Sequence, residues 1–301
     1  MKFIITSICL LSFIMNHSFG QGCSDAGFCS IDGFKPDDLD SSKTLKNQFK
    51  IGSFFGSADN SISVYGSYIE YNRQVNEKLD FDVKLTSIGQ NGNDISVFGL
   101  SDAFLNSNYK INDNFKLTLG VKVPLTNANR SLDELPLPMD YQASLGTVDL
   151  LFGTGYKIKK FQIVAALQYP LTQNNNQFLS NEYLDVSALS FFQSTKNFKR
   201  SGDVLLRVSY PFSVTKKLKL TPSILPIYHL ANDKYTDVLN IEREIIGSEG
   251  LTLNGNIYLD YKINQKNIMQ LNIGAPFIYR DARPDGLTRS VIVSLEYRIK
   301  F

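Results

Sequence analysis

The chain has 301 residues, of which 43% are hydrophobic and 20% are charged, and its formal net charge is +2. This composition excludes a helical membrane protein unless a long apolar run is present. The nearly balanced charge provides no basic stripe of the kind that binds nucleic acid, so we expect no nucleic-acid partner.

The one long apolar run in the sequence lies at its start. Lys2 precedes the stretch FIITSICLLSFIM, and the small residues Ser18 and Gly20 follow it. A basic residue, a short apolar core and small residues are typical of a secretory signal peptide, and the run is too short for a spanning helix. We predict that residues 1–20 are a signal peptide, with a lipid anchor on Cys23 as the alternative interpretation.

Two cysteines, Cys23 and Cys29, follow the predicted signal peptide in the stretch GCSDAGFCS. Two cysteines in an exported chain favour a disulfide, and we predict that this pair forms one. A zinc site would need more ligands, and no histidine outside the predicted signal peptide lies nearby, so we predict no metal and no cofactor. The stretch that follows, IDGFKPDDLDSSKTLKN, is acidic and has no period.

From residue 47 onward, apolar and polar side chains alternate in segments of about ten to fourteen residues. On one segment Phe81, Val83 and Leu85 alternate with Asp82 and Lys84. A period of two indicates β-strands, and no stretch shows the period of a long helix. We predict twelve strands, at 47–58, 61–74, 77–89, 99–112, 114–125, 145–158, 160–171, 201–213, 216–230, 250–264, 266–280 and 289–301.

The connections between these strands alternate between short and long. Every second connection is a tight polar turn, such as INDN or SVTKK, and the others include long loops at 126–144, 172–200 and 231–249. This rhythm is typical of outer-membrane barrels, and an even strand number places both termini in the periplasm. We therefore predict an all-β fold, a transmembrane antiparallel up-and-down β-barrel of about twelve strands over residues 47–301, with ten or fourteen strands as alternatives.

The position of residues 21–46 follows from this fold in one of two ways. The segment either occupies the barrel lumen as a small plug or hangs in the periplasm. A secreted β-sandwich is the soluble alternative to the barrel, but its strands are usually shorter.

The last strand, VIVSLEYRIKF, has an apolar face that runs to the terminal Phe301. An open edge strand invites aggregation, so we expect this strand to pair with the first one and close the barrel. Tyrosines near strand ends predict an aromatic girdle at the membrane interfaces: Tyr71, Tyr109, Tyr156, Tyr169, Tyr210, Tyr261 and Tyr297. The terminal stretch resembles the C-terminal signal of Gram-negative outer-membrane proteins. The resemblance implies that Tyr297 and Phe301 are read by the barrel assembly machinery.

Nine charged residues alternate onto the face opposite the lipid face. A Lys or Arg that faced lipid at mid-depth would cost roughly 2–4 kcal/mol, so these side chains are expected to point into the lumen. They either line a pore that filters solutes or form a packed interior of paired charges. The strand number leaves both open, because barrels of about eight strands are filled, barrels of about sixteen contain a channel, and twelve is intermediate. The candidates are Asp82, Lys84, Asp102, Lys122, Asp149, Arg207, Asp260, Glu296 and Arg298.

One stretch carries a family motif. A Gly-x-x-Asp element opens a strand that ends in Tyr-Lys, and a Gly-x-x-x-Pro element ends the next strand: Gly99, Asp102, Tyr109, Lys110, Gly120 and Pro124. Residues 99–171 thereby resemble the phenol-degradation (MetA-pathway) outer-membrane family and its FadL-like transport relatives. The resemblance implies passive uptake of small, hydrophobic or aromatic solutes. Gly153 and Gly155 in the same region predict a strand bend or a lateral gap.

Pro222 and Pro226 predict that their strand is bulged or interrupted in its outer half, because proline removes a ladder donor. His229 is the one histidine after the signal peptide, and no serine motif surrounds it, so we predict that the chain is not an enzyme. The first functional hypothesis is a channel whose partners are outer-membrane lipid, the assembly machinery and a small solute. The alternative is a structural or interaction barrel with a packed lumen and partner-binding loops.

Overall fold

The computed structural model describes residues 31–36, 45–185, 187–285 and 291–301. The predicted signal peptide, the Cys23–Cys29 pair and most of residues 21–46 lie outside these ranges, and they stay predictions. Within the described ranges, helical structure consists of short 3-10 turns, and no helix is long and apolar enough to cross a membrane.

Twelve strands within the described ranges form one closed antiparallel sheet. Each strand pairs with the next along the chain, and the last pairs with the first, so the prediction of a barrel of about twelve strands is confirmed. The two-residue strand Phe212–Ser213 extends the eighth strand along the ninth. The barrel strands are β1 (Asn47–Ser57), β2 (Ser63–Gln74), β3 (Leu79–Gly92), β4 (Ile95–Lys110), β5 (Phe115–Pro124), β6 (Asp149–Ile158), β7 (Phe161–Pro170), β8 (Asp203–Ser209), β9 (Leu218–His229), β10 (Gly250–Lys262), β11 (Asn267–Ile278) and β12 (Ile292–Lys300).

The chain terminus closes the sheet. The Phe301 backbone N–H donates to the Asn47 carbonyl oxygen at 2.9 Å, and the Asn47 N–H donates back at 3.0 Å. β1 and β12 stay in register over eight residue pairs beyond this point. Because no backbone edge is left open at the seam, the barrel can stand in a bilayer, where unpaired peptide groups are too costly.

The two faces of each strand differ in the way that a membrane barrel requires. On β3, Phe81 and Val83 are 44% and 41% exposed on the outside, whereas Asp82 and Lys84 are 1% and 0% exposed on the inside. Six of the seven predicted girdle tyrosines are exposed on the outer surface, and Tyr297 is half-buried. Apolar side chains thus face lipid while charged ones fill the interior.

Short turns lie at one end of the barrel and the long loops at the other. The turn end carries the connections 75–78, 111–114, 159–160, 214–217 and 263–266, together with the terminal Phe301. The loop end carries the long connections 125–148, 171–202 and 230–249 and the short connections 58–62 and 93–94, together with the described residues 279–285 that follow β11.

The strand of Pro222 and Pro226 runs without interruption. β9 pairs with β10 over twelve residues in one register through both prolines. Its pairing with β8 skips Leu206 and Arg207, which lie opposite Leu225 and Pro226. The two prolines therefore leave the pairing with β10 intact, and only the pairing with β8 lacks two residue pairs beside Pro226. The predicted interruption of the strand is wrong. β6 likewise keeps its register on both sides of Gly153, so its two ladders are continuous there and leave no lateral gap.

Candidate functional site in the barrel lumen

The structure places all nine predicted lumen side chains inside the barrel. Asp260 is the most exposed of them, at 7%, and Lys84, Lys122 and Asp149 are fully buried. Alternation along the strands brings them there, since every second residue of a strand points inward. What alternation does not reveal is how they pair, because the partners come from strands that are distant in the chain.

Near the turn end, a group that we call the turn-end network joins the wall to the N-terminal segment. Lys50 on β1 contacts Glu70 on β2 at 2.8 Å and Asp32 of the segment at 2.5 Å. Lys35 of the segment contacts Glu296 on β12 at 2.8 Å, and Glu296 also accepts from Tyr68 and Arg298. Charges buried at this depth are stable only when they are paired, and these pairs tie the segment to the wall.

A second group, the loop-end network, crosses the other half of the lumen. Asp149 accepts from Lys122 at 2.9 Å and from Arg200 at 3.3 Å, and Arg200 continues to Asp203. The ring nitrogens of His229 lie 2.7 Å from Asp203 and 2.8 Å from Asp233. Both nitrogens of His229 are thus engaged by carboxylates, and the residue anchors the start of loop 230–249.

Two of the other predicted charges, Asp82 and Asp260, are held by side chains of other strands. Asp82 accepts from Asn106 at 2.7 Å and from Asn108 at 3.0 Å. Asp260 contacts Lys219 at 3.3 Å and Arg298 at 3.8 Å. Within the described residues, no group of three or more His, Cys, Asp and Glu side chains is placed to hold a metal ion.

The long loops fold over the loop end of the barrel rather than extending away from it. Asp102, at a bulge where β4 shifts its register with β3, accepts from Ser144 of loop 125–148 at 2.6 Å. Burial raises the pKa of Tyr183 to about 12, so its hydroxyl stays protonated and donates to the Pro136 carbonyl. Apolar loop and strand residues then form a loop-end core: Ile62, Val64, Ile88, Ile95, Val97, Ala128, Leu137, Met139, Tyr141, Ala143, Leu145, Phe178, Leu189, Phe192, Phe198 and Ile245.

The described part of the N-terminal segment, residues 31–36, lies inside the lumen. It makes the ion pairs of Asp32 with Lys50 on β1 and of Lys35 with Glu296 on β12. Between them, Gly33 passes so close to the wall that an added Cβ would lie 2.6 Å from side-chain atoms of Asn108 and Thr118. The segment therefore crosses the barrel from β1 to the strands on the opposite side.

On that opposite side, the wall is apolar where the rest of the lumen is charged. Ile31 and Phe34 are fully buried there, and the Phe34 ring lies over Gly153 of β6, where a Cβ atom would be 2.3 Å from the ring. Arg207 of β8 donates from Nη1 to the Phe34 carbonyl oxygen at 2.8 Å. We call this the Phe34 pocket, and its wall residues are Phe104, Leu151, Val164, Ala166, Leu205, Leu225 and Ile227.

Sequence reasoning did not single out Phe34, Lys50 or Glu70, and it interpreted Gly153 as a strand bend or a lateral gap rather than as a contact of Phe34. Lys50 and Glu70 lie on the polar faces of their strands, so the alternation that selected Asp82 could have found them. Phe34 lies in a stretch without any period, and no pattern in the sequence indicates that its ring packs against a glycine of β6.

No family model matches the chain, and no curated protein matches it in sequence. Comparison of structures does find relatives. An outer-membrane channel from Pseudomonas putida F1 has a TM-score of 0.58 and 12% identity, over 89% of this chain and 99% of that one. The NanC porin has a TM-score of 0.47 and 10% identity, over 85% and 100% of the two chains. The CymD monoaromatic hydrocarbon channel has a TM-score of 0.45 and 7% identity, over 85% and 90%.

The first of these likenesses supports the fold, a closed β-barrel of the outer-membrane type. The apolar outer surface and the charged interior agree with it, and barrels of this architecture lie in outer membranes. The chain is an outer-membrane β-barrel.

Proposed function

We propose that the protein is an outer-membrane channel for passive uptake of small solutes with an apolar or aromatic body, closed at rest by its own residues 31–36. The Phe34 pocket is the observation that carries this proposal. An apolar recess in a charged lumen is filled by a side chain of the N-terminal segment instead of by the wall. When the segment leaves, the recess becomes available to a ring of similar size.

The way the segment is held also supports a plug that can be released. Its two ion pairs, Asp32–Lys50 and Lys35–Glu296, join it to wall residues that have a second partner, Glu70 and Arg298 respectively. Lys50 and Glu296 therefore stay paired when the segment moves, so release leaves neither of them as an isolated buried charge. The resemblance of residues 99–171 to channels for hydrophobic solutes points the same way.

Planar-bilayer conductance tests the proposal. We compare the protein purified from outer membranes with the double variant Asp32→Asn, Lys35→Met, which removes both ion pairs of the segment. The variant is expected to open more often than the wild type, and an added aromatic alcohol is expected to reduce its ion current by entering the same lumen. Glu77→Gln, at an exposed position of the turn 75–78, is the matched control. A variant that conducts no more than this control contradicts the proposal.

A second function is favoured by one observation. Several large apolar side chains project from the outer loops, with exposures of 81% at Phe191, 76% at Leu184 and 71% at Leu239. In this alternative the charges pack the lumen permanently, and the loops bind a partner protein. Absence of conductance from both the wild type and the double variant, together with loss of partner capture by Phe191→Ser, would support it.

A further inference from the structure

Phe34 contributes two chemical groups to its pocket, a ring and a carbonyl oxygen. The ring is held by the apolar wall over Gly153, and the carbonyl accepts a hydrogen bond from Arg207. We infer that the Phe34 pocket binds aromatic carboxylates in which two carbon atoms separate the ring from the carboxyl carbon, as in 3-phenylpropionate. This inference rests on the proposed channel function and names the substrate class of that channel.

The wall presents a cation where such a solute would place its carboxylate. Arg207 is 1% exposed, and its Nη1 lies 2.8 Å from the Phe34 oxygen. A guanidinium binds a carboxylate more strongly than a neutral carbonyl, because the bond is charge-assisted and two parallel N–H groups can meet two oxygens. Arg207 therefore suits an anionic solute better than it suits the peptide oxygen now in place.

The length of the solute follows from covalent structure. In Phe34 itself, Cα and Cβ alone separate the ring from the carbonyl carbon. A solute with the same spacing places its ring in the apolar recess and its carboxylate on Arg207 together. A solute that is one carbon shorter or longer satisfies one of these contacts at the expense of the other, because the recess and the guanidinium are both fixed on the wall.

The mouth at the turn end has a charge that suits the same class of solute. A cavity of about 180 Å³ opens there beside the segment. Among the residues that the structure describes, two carboxylates, Asp32 and Asp80, and six cationic side chains line it: Lys46, Lys110, Lys116, Lys157, Arg298 and Lys300. A cavity with this excess of positive charge concentrates anions near the pocket.

Calorimetric binding to the purified protein in detergent tests the inference, with Phe34→Ala as the variant that empties the apolar recess. The main-chain carbonyl of residue 34 stays in this variant, and a bound carboxylate displaces it from Arg207. The probes are 3-phenylpropionate, its neutral isostere 3-phenylpropanamide, phenylacetate and 4-phenylbutyrate. The variant is expected to bind 3-phenylpropionate about tenfold more tightly than the amide, from one charge-assisted contact, and more tightly than either of the other acids. The wild type is expected to bind it more weakly than the variant, since Phe34 occupies the site.

Two further variants, made in the Phe34→Ala background, locate the site. Gly153→Leu fills the recess and is expected to abolish binding of both the acid and the amide. Arg207→Gln is expected to remove the preference for the acid while leaving the affinity for the amide unchanged, and Arg207→Lys is expected to keep part of the preference. If Arg207→Gln does not fold, the comparison of acid with amide in Phe34→Ala alone decides the matter.

Equal affinities for the acid and the amide would overturn the inference, since the pocket would then be only an apolar cavity left by truncation. Equal binding by the wild type and by Phe34→Ala would also overturn it, because the acid would be bound elsewhere. Failure of the channel proposal gives a different result. In that case no variant conducts, whatever the binding data show, whereas failure of this inference alone leaves a channel that passes aromatic solutes without preferring acids.

Discussion

Gly153 shows how one residue of a barrel wall can determine what the lumen holds. The Phe34 ring lies on its backbone, at a place where an added Cβ would be 2.3 Å from a ring carbon. Gly155, two residues along the same strand, has no neighbouring atom closer than 3.7 Å to an added Cβ. The two glycines therefore differ in role although the sequence presents them as a pair.

Alanine substitutions separate those roles. We expect Gly153→Ala to push the Phe34 ring from its pocket. The free energy that favours the bound segment over the released one should fall by about 1–3 kcal/mol, a typical cost of overpacking. Gly155→Ala is expected to leave it seated. Channel openings in planar bilayers should therefore become more frequent with Gly153→Ala and stay at the wild-type level with Gly155→Ala. Equal behaviour of the two variants would show that the ring does not depend on the glycine.

At the scale of the element, the hairpin of β3 and β4 is the largest departure from the sequence-based boundaries. We predicted strands at 77–89 and 99–112, with a loop between them, but β3 continues to Gly92 and β4 begins at Ile95. The stretch GQNGND reads as loop because it is polar and rich in glycine. Its polarity has another cause, since Gln90 points inward and donates to the Gln142 carbonyl of loop 125–148 at 2.8 Å.

The turn of this hairpin offers a test of its geometry. Asn93 and Asp94 have φ values of 52° and 60°, the positive values that a two-residue type I′ turn requires at both positions. Glycine adopts such values without steric cost, so Asp94→Gly is expected to stabilise the barrel by about 0.5–1 kcal/mol and Asp94→Val to destabilise it. Asn93 should be kept, because it donates to the Asn60 carbonyl and to Tyr141 at 3.0 Å. Urea unfolding in detergent micelles measures both changes, and equal midpoints would contradict the turn assignment.

How much of the barrel the sequence could predict depends on the kind of information involved. Alternation is local, so it gave the strands and placed Asp82, Lys122 and Glu296 on the inner face. Pairing is not local. The contact of Lys35 with Glu296 joins residues 261 positions apart, and it exists only once β12 has closed on β1. The Phe34 pocket also depends on contacts between distant parts of the chain, since its walls come from β4 and from β6 to β9.

At the scale of the whole molecule, the lumen is closed twice by different means. The loop-end core closes one end with apolar side chains from several loops, whereas residues 31–36 occupy the half next to the turns through ion pairs and one ring. The hold on the segment depends on charge at Lys50 and Glu296, whereas the hold on the loops depends on apolar packing. The proposed channel would therefore have two separable barriers, and the segment is the one with which a charged solute would compete directly.

A substitution at Phe301 can distinguish closure of the barrel, which uses the main chain of this residue, from assembly in the cell, for which we expect its ring to matter. The terminal residue bonds to Asn47 through its main chain alone, and its ring is 52% exposed on the lipid side. Phe301→Ser therefore keeps the hydrogen bonds of the seam, and the purified variant should unfold on heating close to the wild-type temperature.

The C-terminal resemblance implies that the assembly machinery reads the terminal ring, and this predicts a different result in cells. There the amount of assembled Phe301→Ser barrel is expected to fall several-fold. Ile299→Ser, on the same outer face of β12, is the control for loss of a lipid-facing side chain. Equal losses for the two variants would mean that the ring serves only as lipid contact, because assembly would then not distinguish the last residue from its neighbour on the same face.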